Sequence, residues 1–218
     1  IILLLTTVAI LPEVKSVTKL AEPGEFPFIA IVTANDGPNT LGVLISANEV
    51  MAINEHLPVP PKTMTIQFGC IFMNNCTTEK FSVKHLQMDR RLNIYRITLL
   101  HKIRHIAPLP TGSLQSYDGY SCKFVGSDVY SRRLFSLDVI TINKGDCRRV
   151  GMSIFDDQQC FEDPSLSHKF TGGNHGGPVI CDGFLVGLQA ENSKVNENIQ
   201  IMHDLTKPRL YQPELLRM

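Results

Sequence analysis

Tryptophan is absent from this chain, so no loop is anchored by an indole ring. Net charge is absent too, because 21 Lys and Arg balance 21 Asp and Glu. A chain without a basic excess offers no electrostatic case for nucleic acid or an anionic membrane surface. The apolar opening, Ile1 to Leu11, ends at Pro12 and is too short for a transmembrane helix. No Cys-x-x-Cys occurs, and the cysteine spacings do not suit a zinc site. Repeats and low-complexity segments are missing as well.

What is present is a series of short apolar runs separated by turn signals. Phe28 to Thr33, Gly42 to Ile45, Met64 to Phe68, Tyr95 to Leu100, Ser121 to Val125, Val179 to Cys181 and Phe184 to Leu188 read as strands. Asn35-Asp36-Gly37-Pro38, Asp118-Gly119 and Asp182-Gly183 punctuate them. The last pair, set between two apolar runs, predicts a two-residue hairpin. Pro208 to Leu216 is the expected closing helix. With 218 residues the chain can bury a large core, and an all-β unit of this length commonly counts as one domain.

The first residues read as the apolar core of a signal peptide, 1–16, with Val14 and Ser16 as small residues before a cleavage at Val17. A buried strand at a true N-terminus is the alternative. Six cysteines fit an oxidising compartment and allow fifteen pairings. Asn75-Cys76-Thr77 is a glycosylation sequon, with a cysteine at its centre.

The most informative segment is Thr171-Gly172-Gly173-Asn174-His175-Gly176-Gly177-Pro178. It resembles the Gly-Asp-Ser-Gly-Gly-Pro signature of the trypsin-like (chymotrypsin-like, peptidase S1) serine proteases, with the serine and aspartate replaced. Other segments resemble that family in the same order. Glu25 to Ala30 is similar to its first strand, and Leu44 to Ala52 to the strand leading to the catalytic histidine. Asn93 to Leu100 is similar to the strand carrying the catalytic aspartate. Ala107 to Pro110 resembles the link between barrels, and Ser121 to Gly126 the strand ending in Gly-Trp-Gly. The matches run from about residue 22 to about residue 205. They imply an all-β fold of two packed six-stranded antiparallel barrels, joined near Ala107 to Gly112, in a single unit, 17–218. The barrels are expected at about 24–106 and 113–205, and the closing helix at about 208–216.

On this resemblance the histidine, aspartate and serine slots hold Glu55, Asn93 and His175, or His56 in the histidine slot if the register slips by one. An imidazole at the serine position cannot form the acyl-serine ester. Gly173 and His175 would supply backbone donors of an oxyanion-hole type. At the pocket, Lys169 would repel basic side chains, and Ala190-Glu191-Asn192 stands where the family has Ser-Trp-Gly, so the glycine that admits the substrate is lost. Asn174 replaces the aspartate that would pair with a new N-terminus, and no Ile-Val-Gly-Gly is found. The resemblance also implies disulfides Cys122–Cys181 and Cys147–Cys160, leaving Cys70 and Cys76 for a hairpin of the first barrel.

Together these features imply a secreted, extracellular and catalytically inactive serine protease homologue, of the short, diverged kind found in invertebrates. It would act by binding a protein partner, such as a protease, inhibitor or receptor of a clotting, immune, venom or reproductive-fluid cascade. The alternative is a diverged endopeptidase with residual hydrolase activity. No cofactor is expected. A zinc set of Glu55, His56 and His175 is a competing reading, against which each histidine would merely fill space or bond locally. His101 and His105, at i and i+4 in a strand-to-loop region, are not expected to share a face.

Overall fold

Ile29-Ala30-Ile31-Val32-Thr33-Ala34 is apolar at nearly every position, which suits a strand buried on both sides. A computed structural model describes residues 18–34, 38–54, 64–112, 116–166, 170, 176–190 and 197–206. In it β1 is Lys19–Leu20 and this apolar run is β2, Ile29–Ala34. Ala30 and Val32 face a core shared with Leu44, Val50, Ile66 and Ile97. Ile29 and Ile31 face the opposite way, into a second core with Leu41, Ile53, Val125, Leu134 and Leu185. One strand therefore serves the inside of a barrel and the seam between two barrels.

The first barrel continues with β3 (Thr40–Ser46), β4 (Glu49–Ile53), β5 (Met64–Phe68), β6 (Lys80–Asp89) and β7 (Ile94–Leu99). These strands close in the order β2-β3-β4-β7-β6-β5. The stretch Leu44 to Ala52 is not one strand but a hairpin. Ser46 pairs with Glu49, and a register shift between Leu44 and Ser46 marks a bulge.

The second barrel comprises β8 (Ser121–Ser127), β9 (Leu134–Ile142), β10 (Gln158–Glu162), β11 (Pro178–Cys181), β12 (Phe184–Gln189) and β13 (Ile199–Asp204). They run β9-β10-β13-β12-β11-β8, and pairing of β8 with β9 closes the ring. β1 pairs with the buried start of β9 through Lys19–Ser136 and Leu20–Phe135. The expectation of two six-stranded antiparallel barrels holds. Barrels this small are filled by side chains rather than hollow, and the second holds Phe124, Phe135, Phe161 and Phe170.

Asp182 and Gly183 both have positive φ, 51° and 81°, and connect Cys181 to Phe184 as a two-residue hairpin. That is the primed-turn geometry expected for this dipeptide. The helix α1, Lys144–Arg149, sits between β9 and β10. Asn143 caps it by accepting from Asp146 N at 3.0 Å. The expected helix at 208–216 and the leader at 1–16 lie outside the described residues. Disulfides join Cys122 to Cys181, Cys147 to Cys160 and Cys70 to Cys76, with Cα separations of 4.4, 6.1 and 5.4 Å.

Backbone hydrogen bonds tie the two barrels together at the linker and at one loop. The chain crosses where Leu109 N donates to Leu44 O of the first barrel and Gly112 N donates to Leu185 O of the second, at 2.9 and 2.7 Å. The loop closed by Cys70–Cys76 also reaches across. Met73 N donates to Arg132 O, and Leu134 N donates to Ile71 O, both at 2.8 Å.

Candidate functional site

The three slots are approached through their described neighbours. β4 ends at Ile53, and Asn54 follows, half-buried. Asn54 N donates to Asn93 O at 2.9 Å, and Asn54 Nδ2 donates to Asn93 Oδ1 at 3.1 Å. The end of β4 is thus tied to the start of β7 by two hydrogen bonds. The Oδ1 atom of Asn54 is buried and accepts nothing among the described residues.

Asn93 has a local role that explains its residue type. The turn from β6 to β7 is organised by Asp89, whose Oδ1 accepts from Arg91 N at 3.1 Å and Leu92 N at 3.2 Å. The chain then passes through Asn93 at φ +50°. Asparagine tolerates this left-handed region better than most residues. Its amide oxygen is occupied by Asn54 and it carries no charge, so it cannot serve as a carboxylate partner for an imidazole.

Gly176 and Gly177 follow His175, the expected serine slot, and close packing requires glycine at both. Gly176 has φ +80°, and a Cβ there would lie 2.6 Å from Leu41 O and 3.3 Å from Ile53 Cγ1. A Cβ on Gly177 would lie 2.5 Å from Val125 O. Both glycines are required by close backbone approach. Gly176 N donates to Gln189 O at 3.0 Å and Gln189 N returns a bond to Gly177 O at 2.8 Å. The segment entering β11 is therefore wedged between β12 of its own barrel and β3 and β4 of the other. Ile53 touches it on one side and precedes Asn54 on the other. The residues flanking all three slots meet at the seam of the barrels.

Of the sequence-predicted site residues, Asn93 lies within the described chain. Glu55, His56, Gly173, His175, Lys169 and Glu191 lie outside the described residues. Their neighbours are firmly held. Phe170, next to Lys169, is buried against Phe124 and Phe161, with ring centroids 5.6 and 5.4 Å away. Ala190, next to Glu191, is buried, and its N–H donates to Ile201 O at 2.9 Å. Behind this wall Gln189 Nε2 donates to Gln200 Oε1 at 3.0 Å, both side chains fully buried. Sequence reasoning did not single out this glutamine pair. A lone Gln in an apolar strand is its signal, twice over.

Among the described residues no cluster of three or more His, Cys, Asp or Glu could hold a metal. The proposed zinc set of Glu55, His56 and His175 falls outside them. His101 and His105 are both exposed and line one groove, contrary to the expectation that they do not share a face. Residues 101–105 follow the end of β7 at Leu99 and form no strand. Asn75 is exposed in the loop closed by Cys70 and Cys76, the accessibility that glycosylation needs.

No family model matches the sequence. No curated protein matches it by sequence either. Solved structures do match by fold. The scabies mite inactivated protease paralogue S-D1 superposes with a TM-score of 0.74 at 17% identity, over 86% of this chain and 91% of that one. The human heparin binding protein does so with a TM-score of 0.72 at 17% identity, over 87% and 91%. Neuropsin, a serine protease expressed in the limbic system of mouse brain, gives 0.68 at 15% identity, over 87% and 94%. This chain has the double-barrel fold of the trypsin-like serine proteases.

Proposed function

We propose that this protein is a secreted, non-catalytic member of the serine-protease fold that works by binding other proteins in an extracellular proteolytic cascade, as regulator, cofactor or decoy. The observation that carries the reading is the residue set at the three slots, Glu55, Asn93 and His175. None is a hydroxyl or thiol nucleophile, and the covalent intermediate of this chemistry needs one. Asn93 adds a physical reason. It is uncharged, it holds a left-handed turn, and its amide oxygen is already occupied by Asn54. Likeness in fold to an inactivated protease paralogue supports the reading. Three disulfides support an extracellular setting, since such bonds persist where the medium is oxidising.

The scaffold that once aimed a nucleophile is kept while the reacting groups are changed. Gly176 and Gly177 hold the barrel seam together, so they are retained for packing whether or not catalysis occurs. The test is exposure of the purified protein to a fluorophosphonate probe and a broad peptide library. No labelling and no turnover above background are expected. Stoichiometric labelling, or turnover abolished by substituting a residue of this cleft, would establish the residual-hydrolase alternative instead. The variant carrying Glu55→His, Asn93→Asp and His175→Ser together is expected to stay inactive. Asn174 still lacks the charge that would steady the oxyanion loop, and a buried ammonium without a counter-charge is costly.

A further inference from the structure

The chain is neutral overall, yet its cations are not evenly spread. Residues 79–106 carry seven of the 21 Lys and Arg, three His, and two of the 21 Asp and Glu. The start of β6 and the bend after β7 bring part of this excess together around a groove of about 350 Å³. Lys80 stands on one wall and Lys102 and Arg104 on the other, with His101 and His105 beside them. Leu100 N donates to Ser82 O at 2.9 Å, which ties the two walls. Ile103 is buried and its N–H donates to Ala47 O at 2.6 Å, which fixes the bend that turns its neighbours outward.

Charge-pairing elsewhere leaves this group alone. Arg96 pairs with Glu49, and Arg91 with Asp157. None of Lys80, Lys84, Lys102 and Arg104 is in an ion pair among the described residues. Lys80 and Lys84 project from the same strand and are both exposed, extending the positive field beyond the groove. Glu79 is the single acid lining it. The groove is also not purely polar, because Leu100 is 53% exposed and Phe81 half-buried within it.

We propose that this groove is a docking site for an acidic peptide segment of a protein partner, whose carboxylates meet Lys80, Lys102 and Arg104 and whose apolar side chain packs on Leu100 and Phe81. The mixed lining selects this occupant. A sulfated glycan satisfies the cations but has no large apolar group for Leu100, whereas an acidic peptide supplies both. Unpaired surface cations steer such a partner and set register, and the exposed leucine adds contact area that salt does not screen. The inference deepens the protein-binding reading by naming the partner's chemistry. Hydrolytic activity, if found, leaves the following titration unchanged, so the two ideas fail separately.

The experiment titrates the full chain against a fluorescent peptide rich in Asp and Glu with a central Phe, read by anisotropy. Binding that weakens with added salt is expected, and the same peptide with Asn and Gln in place of the acids should not bind. Lys102→Glu with Arg104→Glu should raise Kd about tenfold or more. Leu100→Ser should raise it about threefold without changing the salt slope. All three residues are exposed, so thermal unfolding should match the parent. Lys80→Glu, on the opposite wall, reads the same loss if the double variant does not fold. Undiminished affinity after reversal of these cations overturns the proposal. So does a sulfated glycan chain that displaces the peptide and is indifferent to Leu100→Ser, because the groove then reads charge alone.

Discussion

In the first barrel the strands run β2-β3-β4-β7-β6-β5, and in the second β8-β9-β10-β13-β12-β11, so the chain traces one path twice. The interiors differ. Ala30, Val32, Leu44, Val50, Ile66 and Ile97 fill most of the first, with Phe68 and Tyr95 as its large rings. Phe124 anchors the second, within 5.2 to 6.0 Å of the rings of Phe161, Phe170 and Phe135. Two disulfides lie in the second barrel and one in the first, where it closes a loop of six positions. The same wiring is thus satisfied by aliphatic volume in one half and by aromatic edges plus covalent links in the other. Apolar character and volume set the fold, while side-chain identity sets how sharply each half resists change.

The comparison can be broken first at the cores. Phe161 is fully buried and touches two other rings, so Phe161→Ala should cost about 3–5 kcal/mol by chemical denaturation. Ile66→Val in the first barrel, equally buried, should cost about 1 kcal/mol. A Phe161→Ala loss no larger than that of Ile66→Val would mean that the ring contacts add nothing to the second core.

The covalent links give the next contrast. Cys122 and Cys181 are 59 positions apart and Cys70 and Cys76 only six. Loop-closure entropy assigns about 4 kcal/mol to the first bridge and about 2 kcal/mol to the last. Paired Cys→Ala variants, compared by midpoint of urea unfolding, should fall in that order. The reverse order would show that Cys70–Cys76 matters through the native contacts of its loop, where Met73 and Ile71 bond to the second barrel.

Legibility in the sequence followed burial. Met64 to Phe68 alternates apolar and polar residues, and the structure places β5 on those residues. Asp182-Gly183 announced its hairpin because that turn demands positive φ at both positions. β6 escaped notice because one face is solvent-exposed and its apolar residues are only half-buried, and a bulge between Val83 and His85 breaks the alternation. β9 and β10 carry Ser, Thr, Asp and Gln among their apolar residues, and Ser136, Thr141 and Gln159 are buried polar positions that interrupt the apolar signal. The repeated topology was invisible because the halves share a path and not a residue pattern. At the site, Asn93 stood out by its place in the ordered matches. Its hydrogen bonds to Asn54 depend on two strands distant in sequence, and no local pattern encodes them.

Each barrel also buries a phenol whose hydroxyl has no hydrogen-bond partner among the described residues, Tyr95 in the first and Tyr117 in the second. Burial pushes the Tyr95 phenol above its ordinary pKa of 10.0. An unsatisfied buried hydroxyl carries its desolvation cost without return, so Tyr→Phe should stabilise at either position by about 1 kcal/mol. Stabilisation at one site alone would mean that water or a neighbour reaches the hydroxyl in the other barrel.

The smallest expected effect concerns Glu162, the last residue of β10. Burial first, and the adjacent charge of Asp163 second, hold its pKa above the ordinary 4.5. A carboxyl whose folded pKa is raised favours its protonated form in the folded chain. The stability it contributes is fully present below the unfolded value and is lost as pH rises through the folded value. At neutral pH the ionised Glu162 therefore opposes folding, and Glu162→Gln removes that opposition while keeping shape. The group is partly exposed, so solvent screens much of the effect and a rise in Tm of about 1–2 °C is expected at pH 7. The difference between variant and parent should shrink as the pH falls through the raised folded value and be gone below 4.5, where the carboxyl is protonated in both states. A gap that widens in acid would mean that Glu162 is held by a favourable partner when ionised, and that burial does not govern this end of β10.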